Sequence, residues 1–153
     1  MILRQLFDHE TWTYTYLLGD EESGQAVLID PVIDQIERDI KLLNELGLTL
    51  VYTIDTHAHA DHITGCGMLR KRLGSKAVMS AAAGAEGVDV EVSDGDRLEF
   101  GSLVLEVRST PGHTDGCVTF VTDDHKHAFT GDALFIRGTG RTDFQQGSAH
   151  TLY

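Results

Sequence analysis

Apolar residues recur along this chain with two different periods, and the switches between them predict the order of its elements. Met1 to Phe7 is a short alternating segment. Thr13 to Leu18 and Gln25 to Asp30 hold β-branched and aromatic residues bracketed by glycines and acids. The run Gly19-Asp20-Glu21-Glu22-Ser23-Gly24 between them predicts a β-hairpin. After Pro31 the period becomes helical: Ile33, Ile36, Ile40, Leu43 and Leu46 repeat, with Asp34, Glu37, Arg38, Asp39 and Lys41 between them, and Gly47 suits the C-terminal cap. That is an amphipathic helix packed on a sheet. Leu50 to Ile54 is then a short apolar strand, and Ile63 to Leu73 a helix ending at Gly74. Arg97 to Phe100, Leu103 to Arg108, Cys117 to Val121 and His127 to Thr130 read as strands, the last pair joined by a turn at Thr122-Asp123-Asp124-His125. Ser148 is an N-cap, and Ala149 to Tyr153 a first helical turn. Mixed strands with covering helices imply a layered α/β architecture. No repeat or linker divides residues 1–153, so one domain is expected.

Length and charge narrow the function classes. The 153 residues, 41% of them hydrophobic, suffice for a buried core. Twelve Lys+Arg against 24 Asp+Glu give a formal charge of -12, which opposes attraction to a polyanion, so no nucleic acid is expected as partner. The start has neither a basic n-region nor a long apolar stretch, and no segment reaches bilayer-spanning length. The expectation is therefore a cytoplasmic protein without a membrane partner. Cys66 and Cys117 form no CxxC and read as small packing residues, not a disulfide. His9, His125, His127 and His150 read as surface or turn residues.

The chemistry concentrates in Thr56-His57-Ala58-His59-Ala60-Asp61-His62, where small alanines separate side chains able to hold a metal. In an extended loop His57 and His59 share a face, and Asp61 and His62 then turn into the next helix. Imidazole and carboxylate suit zinc, iron or manganese, and three protein ligands with open positions describe a catalytic site. Two later segments, Thr110-Pro111-Gly112-His113-Thr114 and Thr130-Gly131-Asp132-Ala133, each put one further ligand type just past a strand. Alone, the first is an ordinary surface histidine and the second an ordinary turn; with the cluster they become convergent ligands.

Asp30 at the end of an early strand, His57-x-His59-x-Asp61-His62, His113 in Pro-Gly-His-Thr and Asp132 in Gly-Asp follow one another between about residues 25 and 135. In identity, order and spacing they resemble the metallo-β-lactamase superfamily. The resemblance implies an αββα layered sandwich, incomplete here at the C-terminus because relatives continue for several more strands and helices. Gly131-Asp132-Ala133-Leu134-Phe135-Ile136-Arg137-Gly138, followed by Gly140-Arg141-Thr142-Asp143-Phe144-Gln145-Gln146-Gly147, is similar to the persulfide dioxygenase branch, related to glyoxalase II. That branch implies one Fe(II) per chain held by His57, His113 and Asp132, the two-histidine, one-carboxylate pattern that leaves positions for substrate and dioxygen. His59, Asp61 and His62 would orient those ligands, with His59 the leading candidate for an extra one. No catalytic residue beyond the metal ligands is implied. The implied reaction oxidises glutathione persulfide with O2 to sulfite and glutathione, and a homodimer is compatible with the resemblance. Two departures stand out: Thr139 occupies a position where many relatives have cysteine, and a further histidine of the dinuclear pattern lies beyond this length. Alternative readings are a Zn(II) thioester hydrolase of glyoxalase II type, in which Asp132 bridges two metals and bound hydroxide attacks, and a noncatalytic metal-binding fragment. Arg141 is read as bracing its loop through Asp143 rather than holding substrate.

Overall fold

Strands rich in Val, Ile, Leu and Tyr form two facing sheets in the computed structural model, which describes residues 1–153. The first has six strands in spatial order β1 (Ile2–Asp8), β2 (Thr13–Gly19), β3 (Gln25–Ile29), β4 (Thr49–Ile54), β5 (Lys76–Ser80), β6 (Val90–Val92). The β1, β2 and β3 pairings are antiparallel, and those from β3 through β6 parallel. The second sheet is an antiparallel meander in the order β10 (Ala128–Phe129), β9 (Val118–Thr122), β8 (Leu103–Ser109), β7 (Arg97–Phe100). Strand β3 lies in the middle of the first sheet and is apolar on both faces. Val27 and Ile29 join Leu18, Ile54, Phe100, Leu105 and Phe120 in the core between the sheets. Ala26 and Leu28 pack with Leu17, Ile36, Leu43 and Leu69 beneath the helices. A central strand buried on both faces is what parallel pairing with helical cover requires.

Helix α1 (Ile36–Leu46) buries Ile36 and Leu43 and ends at Gly47, whose φ of 67° allows the left-handed cap with its N–H on the carbonyls of Leu43 and Asn44. The expected start at Ile33 is taken by one 3-10 turn, Ile33–Gln35. Helix α2 (Cys66–Leu73) starts three residues later than the pattern from Ile63 suggests, and the cause is a long-range bond. The Ile63 carbonyl accepts the Ile33 N–H at 3.0 Å, and Thr64 bridges Val32, so these residues are extended and cannot open a helix. Strands β5 and β6 lie outside the predicted elements, being short and low in alternation, and they complete the parallel half of the first sheet. Strand β1, met only as an alternating segment, pairs along its whole length with β2. The expected last strand, His127 to Thr130, contracts to Ala128–Phe129.

The layer order is helices, sheet, sheet. Beyond β10 the only α-helix is the single turn α3 (Ala149–Leu152), capped by Ser148 as its sequence suggests, so a second helical layer is not contributed by these residues. The loops leaving β3, β4, β8 and β10 carry Asp30, His57, His113 and Asp132. Asp30, His57, His113 and Asp132 converge at that end of the sandwich. At the opposite end Asp20 clamps the two sheets, accepting bonds from Ser23 and from the N–H and hydroxyl of Ser102.

Candidate metal centre

The three expected ligands arrive from separate segments and meet. His57 follows β4, His113 sits in the turn after β8, and Asp132 in the 3-10 turn after β10; their ligand atoms all lie within 4.8 Å of one another. The His57 and His113 rings stand edge to face with centroids 4.9 Å apart, and His113 Nε2 is 3.5 Å from Asp132 Oδ2. Two glycines permit this closeness. A Cβ on Gly131, whose φ is 49°, would stand 2.3 Å from Thr56 Oγ1, and one on Gly140 would stand 2.7 Å from His113 Nδ1 and 2.8 Å from Asp132 Cβ.

Hydrogen counting fixes which nitrogen each ring presents. Asp30, a carboxylate, accepts from the Thr56 N–H at 2.7 Å and the Thr56 hydroxyl at 2.9 Å. The hydroxyl has one proton and gives it to Asp30, so its contact with His57 Nδ1 at 2.9 Å has the ring N–H as donor. His57 Nε2 is left with its lone pair. His113 Nδ1 lies 2.7 Å from the Arg141 carbonyl, which can only accept, so Nδ1 carries the proton and the neutral ring presents its lone pair at Nε2. Both rings are thus held in the tautomer that a metal needs. Burial and the neighbouring charge of His59 push the His57 pKa down to about 3, so the ring is neutral at neutral pH. Burial raises the Asp132 carboxyl above its ordinary range.

Asp30 supports this arrangement from a strained position. Its φ of 51° is left-handed, and its backbone is pinned there by its own N–H on the Ile54 carbonyl and by Thr15, whose hydroxyl donates to the Asp30 carbonyl at 2.8 Å.

His59 lies beside His57, ring centroids 4.0 Å apart, as the period-two argument requires. Its Nε2, however, sits 3.1 Å from Asp30 Oδ1. Burial opposes the positive charge on His59, but Asp30, through charge and hydrogen bond, outweighs it and lifts the pKa to about 9. His59, Asp61 and His62 form a second group of ligand types within 4.8 Å of one another. Within it His62 Nδ1 is 3.2 Å from Asp61 and 3.3 Å from the Thr13 hydroxyl. One member of the neighbourhood went unnoticed in the sequence: Asp55, which groups with Asp30 and His59, accepts the Thr64 hydroxyl at 2.7 Å, and is driven to a pKa of about 6 by burial. An acid ending an apolar strand carries no signal that separates it from a turn residue.

Arg141 pairs with Asp143 through Nε at 2.8 Å and Nη2 at 3.1 Å, the bracing role expected of it. Cys66 and Cys117 are buried and unpaired, and His9, His125 and His150 are exposed.

The family model for the metallo-beta-lactamase superfamily matches residues 13–153. The chain belongs to this superfamily. Within it, the chain is similar over its whole length to the persulfide dioxygenase ETHE1, mitochondrial, of Bos taurus at 59% identity and of Homo sapiens at 58%. It spans 60% of the length of each of those proteins. Among solved structures, ETHE1 from Myxococcus xanthus superposes with a TM-score of 0.96 at 53% identity, over 99% of this chain and 66% of that one. The fold of this superfamily binds metal, and the group formed by His57, His113 and Asp132 has the residue types and the closeness to hold one. No helix of the chain is long and apolar enough to cross a membrane.

Proposed function

We propose that this chain carries the metal-binding part of a persulfide dioxygenase that oxidises glutathione persulfide with O2 to sulfite and glutathione, using one Fe(II) held by His57, His113 and Asp132. The observation that carries the reading is the donor set itself: two imidazoles with Nε2 lone pairs fixed by Thr56 and Arg141, and one carboxylate, brought within 4.8 Å. Two histidines and one carboxylate on one side of a metal, with the rest of its sphere open, is the pattern of non-haem iron oxygenases. The likeness to persulfide dioxygenases across the whole chain supports the substrate.

Ferrous iron, when bound, supplies the redox chemistry between dioxygen and the terminal sulfur of the persulfide. The chain's own residues hold and orient. Asp30 fixes Thr56, Thr56 fixes the His57 ring, and the Arg141 carbonyl fixes His113. His59, Asp61 and His62 contribute hydrogen bonds around the ligands, with His59 tied to Asp30. No protein nucleophile takes part.

The test is anaerobic purification, elemental analysis for metal, and oxygen uptake with glutathione persulfide on the same sample. One iron per chain with persulfide-dependent uptake is the expected result. The group of His59, Asp61 and His62 favours one alternative, a second metal and thioester hydrolysis, and two zinc ions with hydrolysis of a glutathione thioester would replace the dioxygenase reading by it.

A further inference from the structure

The segment from Gly138 to Ser148 crosses all three ligand-bearing loops, and it is bonded to each. The Gly140 N–H donates to the Asp132 carbonyl at 2.7 Å, the Arg141 carbonyl accepts from His113 Nδ1 at 2.7 Å, and the Ser148 N–H donates to the Gly112 carbonyl at 2.8 Å. The remaining tie reaches the histidine loop: Gln145 Nε2 donates to the carbonyl of Ala58 at 3.2 Å, across 87 positions of sequence. Ala58 lies between His57 and His59, so the bond holds the Ala58–His59 peptide, one residue beyond His57.

The strap reaches the His113 and Asp132 segments through its backbone and the His57 loop through a side chain. The backbone ties survive substitution; the Gln145 tie does not. Gln145 is itself held in a left-handed conformation, φ 47°, beside Gln146 at φ 59°. Two consecutive left-handed non-glycine residues cost energy that surrounding contacts must offset. The Gly147 N–H closes this turn on the Phe144 carbonyl at 2.8 Å, and a Cβ on Gly147 would meet the Thr142 carbonyl at 2.6 Å. The strained turn aims the Gln145 amide back at the histidine loop.

We infer that Gln145 is a positioning residue for the metal: its amide locks the His57 loop to the strap that already holds His113 and Asp132, and so sets the distance between His57 and the other two ligands. The inference rests on the reading of His57, His113 and Asp132 as the ligands. Partners hydrogen-bonded directly to metal ligands typically contribute about 10- to 100-fold in metal affinity, and a tie one residue removed from His57 is placed at the lower end of that range.

Cobalt(II) alone is the probe, titrated into the metal-free full chain and followed by its visible absorption. Gln145→Glu keeps the shape and replaces the donor by an acceptor facing the Ala58 carbonyl; Gln145→Met keeps the length and removes the donor. Both are expected to weaken cobalt binding about tenfold or more and to shift the cobalt band. The thermal midpoint of the metal-free protein should move little, which separates positioning from a general loss of stability. Binding within twofold of the unmodified chain, with the same band, overturns the role of Gln145. Failure of the unmodified chain to bind, or binding that survives His57→Ala, overturns the ligand assignment beneath it.

Discussion

Replacing Thr56 by valine tests the whole argument about ring orientation with one nearly isosteric change. Thr56 is 1% exposed, and its hydroxyl both donates to Asp30 Oδ2 and accepts the His57 Nδ1–H, each at 2.9 Å. Valine strands both partners. Asp30 keeps the Thr56 backbone N–H and His59, but one of its oxygens loses its donor; the His57 N–H is left facing a methyl group. A buried polar group deprived of its partner costs about 1–3 kcal/mol, so about 3 kcal/mol is expected for the two together. In a chain of this size that lowers the melting temperature by roughly 6–12 °C. Thr56→Ser is the control, since it keeps the hydroxyl and loses one methyl, worth about 1 kcal/mol. Urea unfolding of the metal-free protein gives both numbers, and the downfield His57 Nδ1–H resonance in NMR should persist in the serine variant and vanish in the valine one. Equal stability of the two variants, within about 0.5 kcal/mol, or a persisting Nδ1–H signal in Thr56→Val, refutes the hydrogen-bond chain.

Other expectations are as direct. With the His59 pKa raised from 6.5 to about 9 by Asp30, its pairing stabilises the metal-free protein fully below about pH 6.5 and is lost as pH rises through about 9. The stability lost amounts to about 3 kcal/mol in chemical unfolding, and His59→Gln should flatten that slope; a slope unchanged in the variant rejects the pair as its source. Gly140→Ala sets a methyl 2.7 Å from His113 Nδ1, so elemental analysis should show metal content falling well below one per chain, and full occupancy would mean that the loop yields freely. Cys66 and Cys117 are 4% and 2% exposed, so a thiol reagent should titrate neither in the folded protein and both after denaturation; fast reaction of either in the native state contradicts their burial.

The chain's local chemistry announced more of the site than of the scaffold around it. His57, His113 and Asp132 were legible because ligand residue types crowd between alanines, or follow Pro-Gly and Gly turns at strand ends, and such signals depend on a few neighbours only. Helix α1 was legible for a related reason, a long apolar period with a glycine stop. What the sequence hid is what distant partners decide. The late start of α2 comes from the bond between Ile33 and Ile63, thirty residues apart. Strands β5 and β6 are strands because the parallel sheet offers them a neighbour, and Lys76 to Ser80 alternates too little to declare itself. Asp55 looks like an ordinary polar residue until its bond to Thr64 is seen, and Gln145, though part of the branch-like segment, shows no role of its own until its bond to Ala58 is seen.

Those same bonds separate two properties that activity alone would merge. Contacts within the chain orient the three proposed ligands: Asp30 on Thr56, Thr56 on His57, the Arg141 carbonyl on His113, the Gly140 N–H on the Asp132 carbonyl, and Gln145 on Ala58. The strain at Asp30, of order 1–3 kcal/mol for a left-handed non-glycine residue, is offset locally as well, by three bonds to its carboxylate and two to its backbone. On the proposed ligand assignment, the residues that would capture the metal and their supports lie between 30 and 148. Recognition of the organic part of a persulfide needs surface well away from the metal, and the chain spans 60% of the relatives it resembles. On the proposed persulfide dioxygenase reading, the two properties respond to different substitutions: those at Thr56, Gly140 and Gln145 change metal affinity, and none of them changes which persulfide is preferred at saturating metal.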